Sequence, residues 1–185
     1  MKKKLCLMAL VLVLTGCSAG QVDLEEALAF RSGVLGAGSV SFDARITADY
    51  TDRVERFGLR CCADSAGAVS FTVTDPEAIS GITGSVAGIQ GTLTFDDTVL
   101  AFPLLAQERL SPVSGPWVMI QALRSGYIIA CVREGDQLHL TVNDSYEEDA
   151  LTLEIWIRGR EVTAAEIAWR GIRQMSLEIT NFSME

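Results

Sequence analysis

The stretch SVSFDARITADY, Ser39 to Tyr50, alternates without a break. Val40, Phe42, Ala44, Ile46, Ala48 and Tyr50 face one way, and Ser41, Asp43, Arg45, Thr47 and Asp49 the other. Successive strand side chains point to opposite faces, so a period of two over this length predicts a long strand with one buried side. Such a strand needs partners to pair with and a layer to bury against, which excludes an all-helical chain. The period recurs. Phe57, Leu59 and Cys61 share a face opposite Arg56, Arg60 and Cys62, and Val69, Phe71 and Val73 follow. Thr51-Asp52 and Asp64 to Gly67 are placed to turn the chain between these runs.

The second half repeats the pattern. Tyr127 to Arg133 and Gln137 to Asn143 flank Gly135-Asp136, which suits a two-residue hairpin loop. If Glu134 pairs with Gln137, counting back sets Cys131 opposite Leu140 and Ile129 opposite Val142. Leu151, Leu153, Ile155 and Ile157 make a further strand, then Ala165, Ile167 and Trp169. Arg170-Gly171 turns the chain, and Met175, Leu177 and Ile179 close it. Between the halves, Asp75-Pro76-Glu77 breaks the sheet. Gly91–Thr94 and Val99–Phe102 read as short strands around Asp96-Asp97. The glycines of ISGITGSVAGIQG mark strand ends, because no phosphate-loop lysine follows them.

Two helices interrupt the strands. In DLEEALAF, Asp23 and Glu26 have capping-box spacing, and Leu24 and Leu28 share a face. In SPVSGPWVMIQALRSG, Ser114 caps, Pro116 suits the first turn, and Gly126 stops a helix carrying Trp117, Ile120 and Leu123 on its apolar side. The expected fold is therefore α+β. A strongly curved antiparallel sheet of about eight to ten strands forms a half-open β-barrel, and two short helices cover its concave side.

The chain start is of another kind. Lys2 to Lys4 precede an apolar run, Leu5 to Leu14, that is too short to span a bilayer. Leu14-Thr15-Gly16-Cys17 then resembles the lipobox of bacterial lipoproteins. That resemblance implies a signal peptide at 1–16, a diacylglyceryl group on the Cys17 thiol, a lipidated tether at 17–22 and one domain at 23–185. It places the protein on the extracytoplasmic side of a cell membrane, held by two acyl chains. All three lysines leave with the signal, so the net charge of −9 becomes −12, with arginine as the only strong base. Such a body repels phosphate backbones, so nucleic acid is not an expected partner.

Cys61, Cys62 and Cys131 remain in an exported domain. Cys61 and Cys131 both face inward by the strand counts, which allows either a disulfide between them or two buried thiols. A single histidine, His139, and no Cys-x-x-Cys leave no expected metal site. His139 lies opposite Leu138 and Leu140, on the outer side of its strand. The acidic run Glu147 to Asp149 lacks calcium-loop spacing and reads as a solvated turn. No Gly-x-Ser-x-Gly elbow occurs, and no catalytic residue, metal or cofactor is expected beyond the lipid on Cys17.

The order of elements, with the TDPEAISGI break, the GTLTFDD strand, the mid-chain helix and a closing strand ending LEITNF, resembles LolA-like lipoprotein carriers. That resemblance implies a concave face that receives acyl chains. Phe42, Ile46, Phe57, Leu59, Phe71, Trp117 and Ile120 are then the candidate lining residues. The same residues would serve equally as a filled core. In that case the domain is a non-enzymatic module binding another envelope protein, with no ligand.

Overall fold

The computed structural model describes residues 18–87, 91–94, 105–106 and 110–185. The signal segment, Cys17, Asp96-Asp97 and Val99–Phe102 lie outside the described residues. Ten strands form one sheet: β1 (Ser39–Tyr50), β2 (Arg53–Asp64), β3 (Val69–Asp75), β4 (Thr83–Val86), β5 (Gly91–Thr94), β6 (Tyr127–Glu134), β7 (Gln137–Asn143), β8 (Leu151–Arg158), β9 (Glu161–Trp169) and β10 (Ile172–Met184). The order across the sheet is β5-β4-β3-β2-β1-β10-β9-β8-β7-β6, and every pairing is antiparallel. Two meanders, β1–β5 and β6–β10, are thus joined along β1 and β10.

The alternation in the sequence is the alternation in the structure. Every even residue of β1 from Val40 to Tyr50 is buried, as are Leu151, Leu153, Ile155 and Ile157 on β8. Irregular register interrupts five of the nine pairings, at Ser41/Asp43, Gly58/Leu59, Ile128/Ala130, Trp156/Ile157 and Arg173/Met175. Each added residue bends its strand and increases the local twist, so the sheet curls but stays unclosed. This is the α+β half-barrel that the sequence implies. Arg170 and Gly171 both take positive φ, which closes the tight turn between β9 and β10.

Two helices complete the core. α1 (Ser18–Gly36) buries Ala27, Phe30 and Val34 and packs beside β6 and β7. α2 (Gly115–Ser125) buries Val118, Met119, Ile120, Ala122 and Leu123. Ser111 and Ser114 cap each other ahead of it, and Pro116 stands in its first turn. Arg31 of α1 donates to the carbonyls of Leu123 (2.8 Å) and Ala122 (3.2 Å) at the C-terminal end of α2, where a cation is favoured. Gln121 donates to the Gly67 carbonyl (2.9 Å) and Arg124 to that of Ser65 (2.7 Å), tying α2 to the β2–β3 turn.

Two expectations for α1 need correction. The helix starts at Ser18 and not at Asp23, so residues 18–22 are helix where a tether was expected. Asp23 and Glu26 accept hydrogen bonds from Arg133 of β6 instead of capping. The buried side is also not the one carrying Leu24 and Leu28, both of which are exposed.

Candidate functional site

Phe42, Ile46, Phe57, Leu59, Phe71 and Ile120 all belong to one contiguous buried cluster, and none is more than 7% exposed. Trp117 is half-buried at its margin. Phe42 stacks on Phe182 (6.0 Å between centroids), and Phe182 on Phe30 (6.2 Å), so rings from β1, β10 and α1 interlock. The wall of a hollow wide enough for an acyl chain would expose surface to it. These six residues do not, so they form packed core and are not a ligand lining in this structure.

Apolar surface becomes accessible at one end of the half-barrel. There a recess of about 510 Å³ is bounded by Tyr50 at the end of β1, by Leu105 and Ala106, by Trp169 at the end of β9, and by Ile172 and Arg173 at the start of β10. Among the described residues the buried Trp169 indole N–H has no acceptor, an arrangement that costs about 1–3 kcal/mol. Arginines gather at this end. Arg170 lies over the Trp169 ring (4.5 Å) and Arg53 over that of Tyr50 (4.9 Å). Arg173 pairs with Glu166 (2.9 Å) and Arg53 with Glu55 (2.6 Å), whereas Arg170 has no carboxylate partner among the described residues. Asp49 and Arg173 line the recess beside its apolar side chains, and Arg53 and Arg170 stack on its Tyr50 and Trp169 rings; such a mixed lining fits an amphiphile with its apolar body inside and a polar end outside. Sequence reading missed it because its walls come from three turn regions, none of which carries a motif.

The outer face holds a second arrangement. His139 Nδ1 lies 2.8 Å from Glu134 Oε1, and its Nε2 lies 2.7 Å from Glu154 Oε2. The ring stacks on Trp156 (4.5 Å, 9°), Trp156 donates to Glu134 Oε2 (3.1 Å), and Thr141 donates to Glu154 (2.8 Å). A recess of about 370 Å³ lined by Trp156 does not include His139. The cluster ties β6, β7 and β8 together on the outer face.

It makes a pH prediction. The hydrogen bond to His139, and then that from Trp156, holds the Glu134 carboxyl below the ordinary carboxylate range. A depressed folded value stabilises the fold above the unfolded carboxylate pKa, about 4.3, and that stability is lost as pH falls through the folded value. Glu134→Gln is therefore expected to be less stable than the parent chain at neutral pH. The gap should narrow below about pH 4. Urea midpoints at the two pH values check this, and a gap of equal size at both would contradict it.

The structure does not join Cys61 to Cys131. Cys61, Cys62 and Cys131, the described cysteines, are free thiols, and five strands stand between β2 and β6 in the sheet order. Burial raises the pKa of the Cys61 thiol strongly, and burial followed by Asp23 raises that of Cys131, so neither is poised as a thiolate. Cys131 does pair with Leu140 as counted. Ile128, not Ile129, faces Val142, because the bulge falls between them. Glu147 and Glu148 are exposed in their turn. Among the described residues no group of three His, Cys, Asp or Glu side chains is placed to hold a metal ion, and no helix is long and apolar enough to cross a membrane.

The arrangement defines a half-barrel with a packed interior and an open apolar end. No protein-family model and no curated protein matches the chain. Among solved structures it is similar to an uncharacterized conserved protein from Thermus thermophilus, at 11% identity over 88% of this chain and 87% of that one, TM-score 0.45. It is also similar to a LolA superfamily protein from Nitrosomonas europaea, at 7% identity over 86% and 93%, TM-score 0.43. A third is the lipoprotein LppX from Mycobacterium tuberculosis, at 13% identity over 85% and 95%, TM-score 0.37.

Proposed function

We propose that this chain is a non-enzymatic lipoprotein of the bacterial envelope. It is anchored through Cys17 on the extracytoplasmic side of a membrane, and its half-barrel binds an amphiphilic, lipid-like molecule at the open end. The recess bounded by Tyr50, Leu105, Trp169 and Ile172 carries the binding half of this reading, with Arg173 in its lining and Arg170 stacked on the Trp169 ring. The Leu14-Thr15-Gly16-Cys17 run supports the anchor. A ligand here would sit at the mouth, above the packed residues Phe42, Ile46, Phe57, Leu59, Phe71 and Ile120.

Both halves are tested on the full chain. Cys17→Ser is expected to leave the membrane fraction, and a variant that stays there and is still cut before residue 17 contradicts the anchor. For the ligand, native mass spectrometry of the mildly extracted protein is expected to show a retained lipid that Ile172→Arg loses. A parent chain that never retains lipid, and whose melting temperature no added lipid shifts, contradicts it. The packed interior favours a second reading, an envelope protein-interaction module without ligand. Crosslinking in intact cells would then capture one defined protein partner while lipid binding stays absent.

A further inference from the structure

The helix that follows Cys17 is apolar on both sides. Its inner side, Ala27, Phe30 and Val34, is buried. Its outer side carries Val22, Leu24, Leu28 and Leu35, exposed by 59, 40, 49 and 49%. The other exposed positions from 22 to 36 are Ala29, Ser32, Gly36 and Glu25, so Glu25 is the one charge there. The remaining acids of this stretch, Asp23 and Glu26, are turned aside and neutralised by Arg133. α1 alone holds four of the ten large apolar side chains exposed among the described residues. A helix that is apolar all round is normally covered on both sides, and a patch of this kind marks a contact surface.

We propose that this leucine face of α1 lies in the surface of the bilayer that holds Cys17. The proposal rests on the lipid-anchor reading above and adds an orientation to it. Its occupant follows from where the helix begins. Ser18 is already helical, so no linker separates the acyl chains from α1. At about 1.5 Å of rise per residue, an upright α1 would lift Leu35 roughly 25 Å off the surface and leave the leucine stripe in water. Lying in the plane, the helix buries that stripe about 5–10 Å deep, at the boundary of headgroups and acyl chains. Attraction of basic residues to anionic headgroups cannot supply this docking, because the domain is acidic. The contact is apolar, and the lipid on Cys17 makes it intramolecular.

The test uses the lipidated full-length product purified into phosphatidylcholine vesicles, with plain or brominated acyl chains. Leu28→Trp adds a fluorophore to the proposed face, and Glu178→Trp adds one on the opposite, outer face of the sheet. Leu28→Trp is expected to lose most of its added emission in the brominated vesicles, whereas Glu178→Trp keeps it. A lipidated, vesicle-floating Leu28→Trp protein whose added emission survives overturns the proposal and leaves the anchor standing. A protein whose mass lacks the diacylglyceryl group and that does not float removes the anchor and the proposal together. A Cys17→Ser chain that sediments as a dimer, and that Leu28→Glu turns into a monomer, assigns the face to a second copy and also overturns the proposal.

Discussion

Phe42→Ala is expected to lower the folding free energy by about 3–5 kcal/mol, the range for removing a fully buried phenyl ring. Phe42 is 2% exposed, and Phe182 joins it to Phe30, so truncation opens a void where β1, β10 and α1 meet. Domains of this size carry about 5–15 kcal/mol in total, so the loss is a large share of it. The guanidinium midpoint should fall while the denaturant slope holds. The result also bears on function. If Phe42 bordered a hollow, truncation would merely enlarge it and the loss would shrink. A change within about 0.5 kcal/mol, as at surface sites, sinks the packed-core account.

Gly126→Ala should cost about 1–3 kcal/mol, and for a reason other than the usual one at a helix end. Glycine after a helix is normally there for a left-handed conformation. Gly126 instead has φ −66° and ψ 159°, which any residue adopts. What excludes a side chain is proximity. A Cβ would stand 2.5 Å from Val142 Cγ1 and 2.8 Å from the Ala122 carbonyl oxygen. That oxygen accepts the Gly126 N–H at 3.0 Å, so relief requires α2 to shift off β7 and lose its terminal hydrogen bond. Thermal unfolding measures the cost. A variant that melts with the parent chain would mean that α2 has slack at this end.

The inward face of nearly every strand is legible in the sequence, because a one-residue slip would carry a whole apolar set into water. Turn chemistry fixes the β6–β7 register as far as Cys131, and a bulge spoils it at Ile129. A bulge has no local signature, so counting cannot see it. α1 misleads for a different reason. Being apolar on both sides, it has no amphipathic stripe, and Leu24 and Leu28 mark a face as convincingly as the Ala27-Phe30-Val34 face that is in fact buried. The alternation of β7 shows which side His139 takes, but not its partners. Glu154 and Trp156 lie on β8, beyond a seven-residue connection, residues 144–150, that sets no countable register. Phe42, Ile46, Phe57, Leu59, Phe71 and Ile120 all point inward. Whether inward means packed or hollow depends on how far the sheet curls, and alternation carries no information on that.

The joint between β1 and β10 governs how this sheet assembles. Val40 pairs with Met184 and Ala48 with Met175, whereas every other pairing links strands adjacent in the chain. Each five-strand meander closes short loops and gains its contacts early. The joint must close a loop spanning most of the domain, and contacts of such sequence separation are slow to form. Until it does, β1 and β10 each present an open edge lined with unpaired backbone. A chain that emerges amino end first would hold the far edge of β1 unpaired until its last residues arrive. Its most aggregation-prone moment would then fall just before completion.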